Sequence, residues 1–513
     1  MMSVTQAVHR GVQMRADSTA IVGENGARTW RQWRDDIARL ASGLRAKGMK
    51  AGDRAAIIAL NSVGYLDAMF AVAWAGGVVV PVNTRLSVPE IAYILGHAES
   101  NFVFVDSALK DVTLAAIAET GLLATVVGIH AGEADVNIPK LIADHEPCED
   151  AGRRGDDLSG IFYTGGTTGR SKGVMLSQAN HHVHSLAMWA GRSANPAELR
   201  YLHAAPMFHI ADAEFIYGVT YIGGTHFTIP GFEAGAFLDA VARHKITDVV
   251  LVPTMIQMLL DHPALATTDT TSLSRLWYGG SPLAEQTILR LLNALPHVSP
   301  IQLYGQTEAG PIITIFESAD HNPPAEHLAR RRAAGRPVTG CHVCIVDENG
   351  TAMANGEVGE IVARSGSVMT GYWQDKAQTA AALQDGWLHT GDAGYMDDDG
   401  YVYVTDRFKD MIITGGENVF SIEVEQFIYA FPGVAQCAVI GVSDAQWGER
   451  IHAVIVPQPG KSIDTEALTA ALRKDLAGFK IPRSYDIRSA PLPVSGAGKI
   501  LKRELRREAE EGQ

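Results

Sequence analysis

Cysteine is scarce in this chain of 513 residues, with four in all at Cys148, Cys341, Cys344 and Cys437. Four thiols spread over that length make no disulfide framework. Cys341-His342-Val343-Cys344 has the spacing of half a zinc knuckle, but no second ligand pair accompanies it. In the setting CHVCIVD the two thiols read as small apolar residues of a strand. Positive charge is in deficit: Lys+Arg 43 against Asp+Glu 57 leaves a formal charge of -14. Nucleic-acid binding rests on neutralising phosphates, so broad binding of that kind is not expected. Long apolar runs are missing too. The longest, Ala68 to Val82, is broken by Gly76-Gly77 and Pro81 and is too short to cross a bilayer. It reads as a buried helix, a glycine turn and a buried strand. The opening MMSVTQAVHRGVQMRADS has no apolar core of a secretory signal, so a soluble cytoplasmic protein is expected.

Apolar surface is not lacking. Hydrophobic residues make up 46% and charged residues 19%, which excludes disorder as a description of the whole chain. The length suggests roughly three to four structural units. Strand and helix patterns alternate early on. Trp33, Ile37, Leu40 and Leu44 mark one face of a helix from Trp30 to Gly48. DRAAIIAL (53–60) reads as a buried strand. SVPEIAYILGHAES reads as a helix with Ser87 as N-cap and Glu90 as its capping-box partner, and NFVFVD (101–106) as the next strand. ITDVVLVPTMIQMLL (246–260) repeats the order, which predicts α/β architecture with mainly parallel sheets. From Cys341 the texture changes to short strands separated by Gly and Asp turns, an antiparallel or mixed sheet. After Asp406 a compact α+β unit of roughly 100 residues follows. Its tail, LKRELRREAEEGQ, reads as a helix with a solvated charged surface.

The segment richest in chemistry is LSGIFYTGGTTGRSKGVMLSQAN (158–180). A strand ends at Thr164, and Gly165, Gly166 and Gly169 allow backbone N–H groups to point inward. Thr167 and Thr168 add hydroxyls, and Lys172 adds a fixed cation. That set suits a polyphosphate. It is not a Walker A loop, because two residues separate Gly169 from Lys172 and Gly173 stands where that motif has Ser or Thr. Gly169-Arg170-Ser171-Lys172-Gly173 also fits the G-x-S-x-G nucleophile elbow, which makes a serine hydrolase using Ser171 the rival from another class.

This loop resembles the phosphate-binding motif of the adenylate-forming superfamily of acyl-CoA synthetases, luciferases and peptide-synthetase adenylation domains. Gly165 stands where that family has Ser, and Ser171 where it has Pro. PMFHI (206–210), YGGSPL (278–283), LYGQTEAG (303–310), DGWLHTGDAGYMDDDGYVYVTDRFKDMIITGGENVFSIEVE (385–425) and PLPVSGAGKILKREL (491–505) follow in family order, so the resemblance covers essentially the whole chain. It implies a large N-terminal domain, 1–406, with α/β sheets and a distorted β-barrel subdomain, and a small mobile α+β domain, 407–513. The implied activity joins a carboxylic acid to coenzyme A at the expense of ATP and Mg²⁺, through an acyl-adenylate.

The resemblance also assigns roles. Thr164, Gly165, Gly166, Thr167, Thr168, Gly169 and Lys172 would cradle the phosphates. Gly279 and Gly280 would lie along the adenine, on which Tyr304 would stack, with Gly305, Gln306 and Thr307 near the nucleotide. Thr167 and Glu308 would hold Mg²⁺, Asp392 would clamp the ribose, and Arg407 would be a second contact to the ribose or the phosphate. Lys499 would be the catalytic lysine, with Lys502 the neighbour it could be confused with. His209, Ala213, Tyr278, Gly305 and Pro311 would border the acyl group. Lys409 would be the hinge, and Gly415, Gly416 and Glu417 would line the CoA tunnel. Asp212 and Glu214 would be costly in an alkyl pocket unless they face away from it. Asp397-Asp398-Asp399-Gly400 reads as an exposed hairpin turn rather than a calcium loop.

The expected acid is a medium or long fatty acid, or a related aryl or branched acid. A homodimer is compatible with the pattern. A carrier-protein thiol or oxygen could replace CoA as the acceptor, and a degenerate non-catalytic binding protein is the remaining alternative.

Overall fold

The computed structural model describes residues 2–23, 26–164, 170–192, 194–281, 283–444, 446–496 and 499–511. The phosphate-loop residues Gly165, Gly166, Thr167, Thr168 and Gly169 therefore lie outside the described residues, as does Gly498.

Two largely parallel sheets dominate the first part. One has nine strands, and its centre runs Ser299–Tyr304, Arg275–Gly279, Asp248–Leu251, Arg200–His203, Thr225–Thr228, Thr19–Gly23, all parallel. The other has seven. Leu158–Thr164, Val78–Pro81, Arg54–Ile58, Ser100–Val105 and Thr125–Gly128 are parallel, and Lys172–Ser177 and Gly371–Tyr372 are added antiparallel at one edge. Central strands such as Arg54–Ile58 and Val78–Pro81 are nearly all apolar and buried, as expected where both faces of a parallel sheet are covered.

The helix Val63–Ala75 shows why the sheets associate. It is apolar all round and buried from Tyr65 to Ala75, so it needs cover on every side. It shares one core with Trp30, Trp33, Ile37 and Leu40 of the helix Trp30–Ala46, with Ile21 of the first sheet, and with Ile57 and Val79 of the second. Gly76, in the left-handed conformation, ends it and returns the chain into Val78–Pro81, the helix–turn–strand read from sequence. The capping box at Ser87 and Glu90 forms, with the Ser87 N–H donating to Glu90 Oε2 at 2.8 Å.

The third sheet is antiparallel and open, Cys341–Val346, Gly359–Ser365, Trp387–Met396 and Leu383–Gln384, with Val402–Arg407 also paired to Trp387–Met396. It is the curled half-barrel of the first part, in the place of the expected distorted β-barrel subdomain. Both cysteines of the CxxC pair are free in its first strand. The Asp397–Gly400 run is the turn between Trp387–Met396 and Val402–Arg407, with Asp397 Oδ1 accepting from the Asp399 and Tyr401 N–H groups.

The last sheet, built on the paired strands Val434–Asp444 and Gly448–Pro457, carries the helices Ser421–Tyr429, Thr465–Leu472 and Lys502–Glu511. The terminal helix is not a purely solvated charged surface. Lys502 pairs with Glu425 at 2.7 Å, and Leu505 is fully buried in the core beneath. No described helix is long and apolar enough to cross a membrane.

Candidate active site

In parallel sheets, ligands gather at the carboxyl ends of strands, where the loops are free to carry function. Thr164, Gly279 and Tyr304 are each the last residue of such a strand. The hairpin partner of Thr164 is Lys172, so both ends of the Gly/Thr loop are fixed to one another. The residue after Ser171 opens another strand, Lys172–Ser177, whereas a nucleophile elbow passes from strand into helix. The hydrolase reading fails on that geometry.

Glycine is required at two of the strand ends. A Cβ on Gly279 would lie 2.4 Å from the Leu303 carbonyl oxygen, and one on Gly305 would lie 2.0 Å from that of Pro311. Backbone approach this close leaves no room for a side chain at either position.

The half-barrel brings a second set. Asp392 and Arg407 are register partners on neighbouring strands, and Arg407 Nε reaches Asp392 Oδ1 at 3.1 Å. The Tyr304 hydroxyl donates to Asp392 Oδ2 at 2.8 Å. Asp392 is only 4% exposed, and burial raises its carboxyl despite the opposing pull of Arg407, Tyr304 and Lys499.

Lys499 comes from the C-terminal part. Its strand-like turn is closed by Ser495 N–H donating to the Lys499 carbonyl at 2.7 Å. Its Cε lies 3.5 Å from where a Cβ of Gly280 would stand. Burial, and then Arg407, lowers its ammonium from 10.5 to about 8, while Asp392 and Glu308 pull the other way. Lys502 is different. Its ammonium bonds Ser421 Oγ and Glu425 within its own unit, and against the pull of burial Glu425, with Asp406 and Asp410, raises it. The two lysines three residues apart thus face opposite ways.

His209 caps the helix Ile210–Ile222, its Nδ1 accepting from Ala211 N–H at 3.2 Å. Burial first, and Lys499 second, depress its imidazole to about 3. It is neutral over the working pH range, with the proton on Nε2 because Nδ1 is an acceptor. The loop before it is held by Asn61, which accepts from Met207 N–H at 2.8 Å and donates to the His203 and Ala205 carbonyls. Sequence reading missed Asn61, since nothing local marks a bond that spans 146 residues.

Glu308 sits in the short turn Thr307–Ala309 after Gln306, with Thr307 buried. The Tyr372 hydroxyl donates to Glu308 Oε1 at 2.9 Å. Lys172 Nζ donates to Gln378 Oε1 at 2.8 Å. Tyr372 and Gln378 were also missed.

Other expected residues are spoken for or stand apart. Ala213 is fully buried, and the Tyr278 hydroxyl is engaged by Gln302 and His321. Asp212 accepts from Tyr201 and pairs with His203, and Glu214 pairs with His181, so both acids are buried and partnered within the protein. Gly415 and Gly416 form an exposed two-residue turn whose near neighbour is Trp447, not Lys499. Lys409 is exposed between the end of Val402–Arg407 and the start of Ile412–Thr414.

The AMP-binding enzyme family matches residues 8–373, and the AMP-binding enzyme C-terminal domain matches residues 423–499. The chain belongs to the AMP-binding enzyme family. Among curated relatives, a feruloyl-CoA synthase from Amycolatopsis is 40% identical over 500 residues, covering 97% of each chain. The fatty acid–[acyl-carrier-protein] ligase ScoC of Streptomyces coeruleorubidus is 33% identical, covering 99% of this chain and 96% of its own. The crystal structure of ATP-bound MatB from Rhodopseudomonas palustris superposes with a TM-score of 0.89 at 30% identity, over 99% of both chains.

Proposed function

We propose that this enzyme activates an aryl-substituted or medium-to-long aliphatic carboxylic acid, and that the residues around Lys499 carry the first half-reaction. The enzyme is an ATP-dependent, AMP-forming acid–CoA ligase. The observation that carries the site reading is the insertion of Lys499 against Gly280, beside the electrostatic neighbours Asp392, Glu308 and Arg407.

A carboxylate is a poor electrophile because its oxygen is a poor leaving group. In this reading a carboxylate oxygen attacks the α-phosphorus of ATP, the bond to pyrophosphate breaks, and an acyl-adenylate forms. Negative charge builds on the α-phosphoryl oxygens. Lys499 and Lys172 offset it, and Lys499 also holds the attacking carboxylate in line. Glu308 supplies the hard carboxylate oxygen that Mg²⁺ prefers, and Thr167 is its proposed partner. When bound, Mg²⁺ would neutralise charge on the polyphosphate. Asp392, oriented by Arg407 and Tyr304, accepts from the ribose hydroxyls, and Tyr304 and Gly279–Gly280 flank the base. Neutral His209 offers an Nε2–H at the acyl site rather than a proton to transfer. The CoA thiolate then attacks the acyl carbonyl and AMP leaves.

The second step needs a different neighbour at that carbonyl. The exposed Gly415–Glu417 turn is the proposed wall of the CoA tunnel, brought in by rotation of residues 407–513 about Lys409 against residues 1–406. The feruloyl-CoA relative favours an aryl acid. The relative acting with an acyl-carrier protein favours a second reading, in which a carrier thiol replaces CoA. We place the enzyme in the cytoplasm, where ATP and CoA are supplied. A panel of aryl and aliphatic acids, scored by pyrophosphate release with and without CoA, tests the reading. Selective release with an aryl acid, and acyl-CoA only when CoA is added, supports it. Acylation of a carrier protein but not of CoA would transfer the conclusion to the second reading.

A further inference from the structure

We propose that Tyr372 and Gln378 are positioning residues that lock Glu308 and Lys172 into a fixed spacing for the triphosphate and its metal ion. The inference rests on the adenylation reading above, in which those two groups face the nucleotide. Glu308 and Lys172 belong to different elements. Glu308 follows a strand of the nine-stranded sheet, and Lys172 opens a strand of the seven-stranded sheet. The segment from Met369 to Thr379 ties the two together.

Its backbone does so first. Met369 N–H donates to the Glu308 carbonyl at 2.9 Å, Thr370 N–H to the Met175 carbonyl at 3.0 Å, and Trp373 N–H to the Gly173 carbonyl at 2.7 Å. Gly371–Tyr372 is itself the edge strand on Lys172–Ser177. Thr379 Oγ1 accepts from the Tyr372 N–H at 2.8 Å, which folds the following helix, Lys376–Ala382, back onto the strap. That helix carries Gln378, whose own N–H is capped by Asp375 at 2.9 Å.

The side chains complete the tie. Tyr372 donates to Glu308 Oε1 at 2.9 Å, and its ring lies beneath the Lys172 ammonium, 5.0 Å from centroid to Nζ. Gln378 Oε1 accepts from the same ammonium at 2.8 Å. Tyr372 is 8% exposed, and its phenol O–H is the donor to a carboxylate oxygen that can only accept. A hydrogen bond on Oε1 fixes the rotation of the carboxylate and leaves Oε2 the stronger ligand for a cation. Lysine has a flexible four-carbon stem, and the ring and the amide hold it in one place. Neither residue needs to touch the nucleotide.

Two variants separate this role from a structural one. Tyr372→Phe keeps the ring and removes the hydroxyl. Mn²⁺ binding to the enzyme–ATP complex, read by electron paramagnetic resonance, should weaken roughly tenfold, the worth of one hydrogen bond to a charged group. The half-saturating Mg²⁺ concentration for pyrophosphate exchange should rise by a similar factor, with the melting temperature close to wild type. Gln378→Met, on a surface helix, should raise KM for ATP severalfold and leave the metal requirement unchanged. Wild-type Mn²⁺ affinity in Tyr372→Phe would overturn the proposal, as would an unaltered KM in Gln378→Met. If the wild-type enzyme itself exchanges no pyrophosphate with any acid, the adenylation reading falls instead.

Discussion

The two lysines of the terminal motif give the sharpest test of the site. Lys499 carries a cation into a largely buried pocket, and the drop from 10.5 to about 8 corresponds to on the order of 3 kcal/mol held against the charged form. In the proposed reaction an arriving triphosphate and carboxylate would reverse that opposition, so the ammonium would be worth most when negative charge peaks in the transition state. Loss of one preorganised charge donor costs about 100- to 1000-fold in rate. Lys499→Ala should therefore lose at least about 100-fold in acid-dependent ATP–pyrophosphate exchange, while melting near the wild-type temperature. It should still make thioester from supplied acyl-adenylate and CoA. Lys502→Ala should behave in the opposite way. It strips the partner from Glu425, a largely buried carboxylate, and should cost on the order of 3 kcal/mol of stability, read as a melting temperature lower by several degrees. Exchange per folded molecule should stay near wild type. Normal exchange by Lys499→Ala would show that the wrong lysine had been identified. A 100-fold loss in Lys502→Ala at unchanged stability would refute the division of labour.

The pH dependence follows from the same groups. In the proposed adenylation Lys499 acts as its ammonium, so kcat/KM for ATP should fall as pH rises through about 8. His209, depressed to about 3, should add no acid limb near neutrality, and a limb at the ordinary histidine value that vanished on replacing His209 would contradict its neutrality. Asp392→Asn should raise KM for ATP roughly tenfold or more, measured in exchange assays with kcat less affected. Gly305→Ala puts a methyl 2.0 Å from the Pro311 oxygen and should cost about 1–3 kcal/mol in unfolding free energy, with exchange reduced further by the displaced wall; wild-type melting would contradict the close approach. Lys409→Pro should impair thioester formation and spare adenylation, and equal losses in the two half-reactions would count against a hinge there.

What sequence disclosed was local. The helix Trp30–Ala46 follows from its apolar period and the capping box at Ser87 from two residues three apart, and both form as read. The helix–glycine–strand passage from Ala68 to Val82 was legible because Gly76 must take a left-handed conformation. Gly279 was legible as lying along the base and Gly305 as a residue of the site, but the backbone atoms they approach, Leu303 O and Pro311 O, were not. Long-range pairing was invisible. Lys172 and Gln378 are 206 residues apart, and no periodicity links them. Asp212 and Glu214 looked anomalous beside an acyl pocket because their partners, His203, Tyr201 and His181, lie on other elements. The tail misled for a related reason. Its charges fit a solvated surface by composition, yet Lys502 turns inward because Glu425 of another helix is there to meet it.

In the proposed function one pocket brings ATP and an organic acid together and joins them as a mixed anhydride. Acid-dependent exchange of labelled pyrophosphate into ATP, run without CoA, measures that step alone. Exchange should require both a carboxylic acid and Mg²⁺ and should disappear in Lys499→Ala. Cleavage of ATP to ADP, or no exchange with any aryl or aliphatic acid offered, would contradict it.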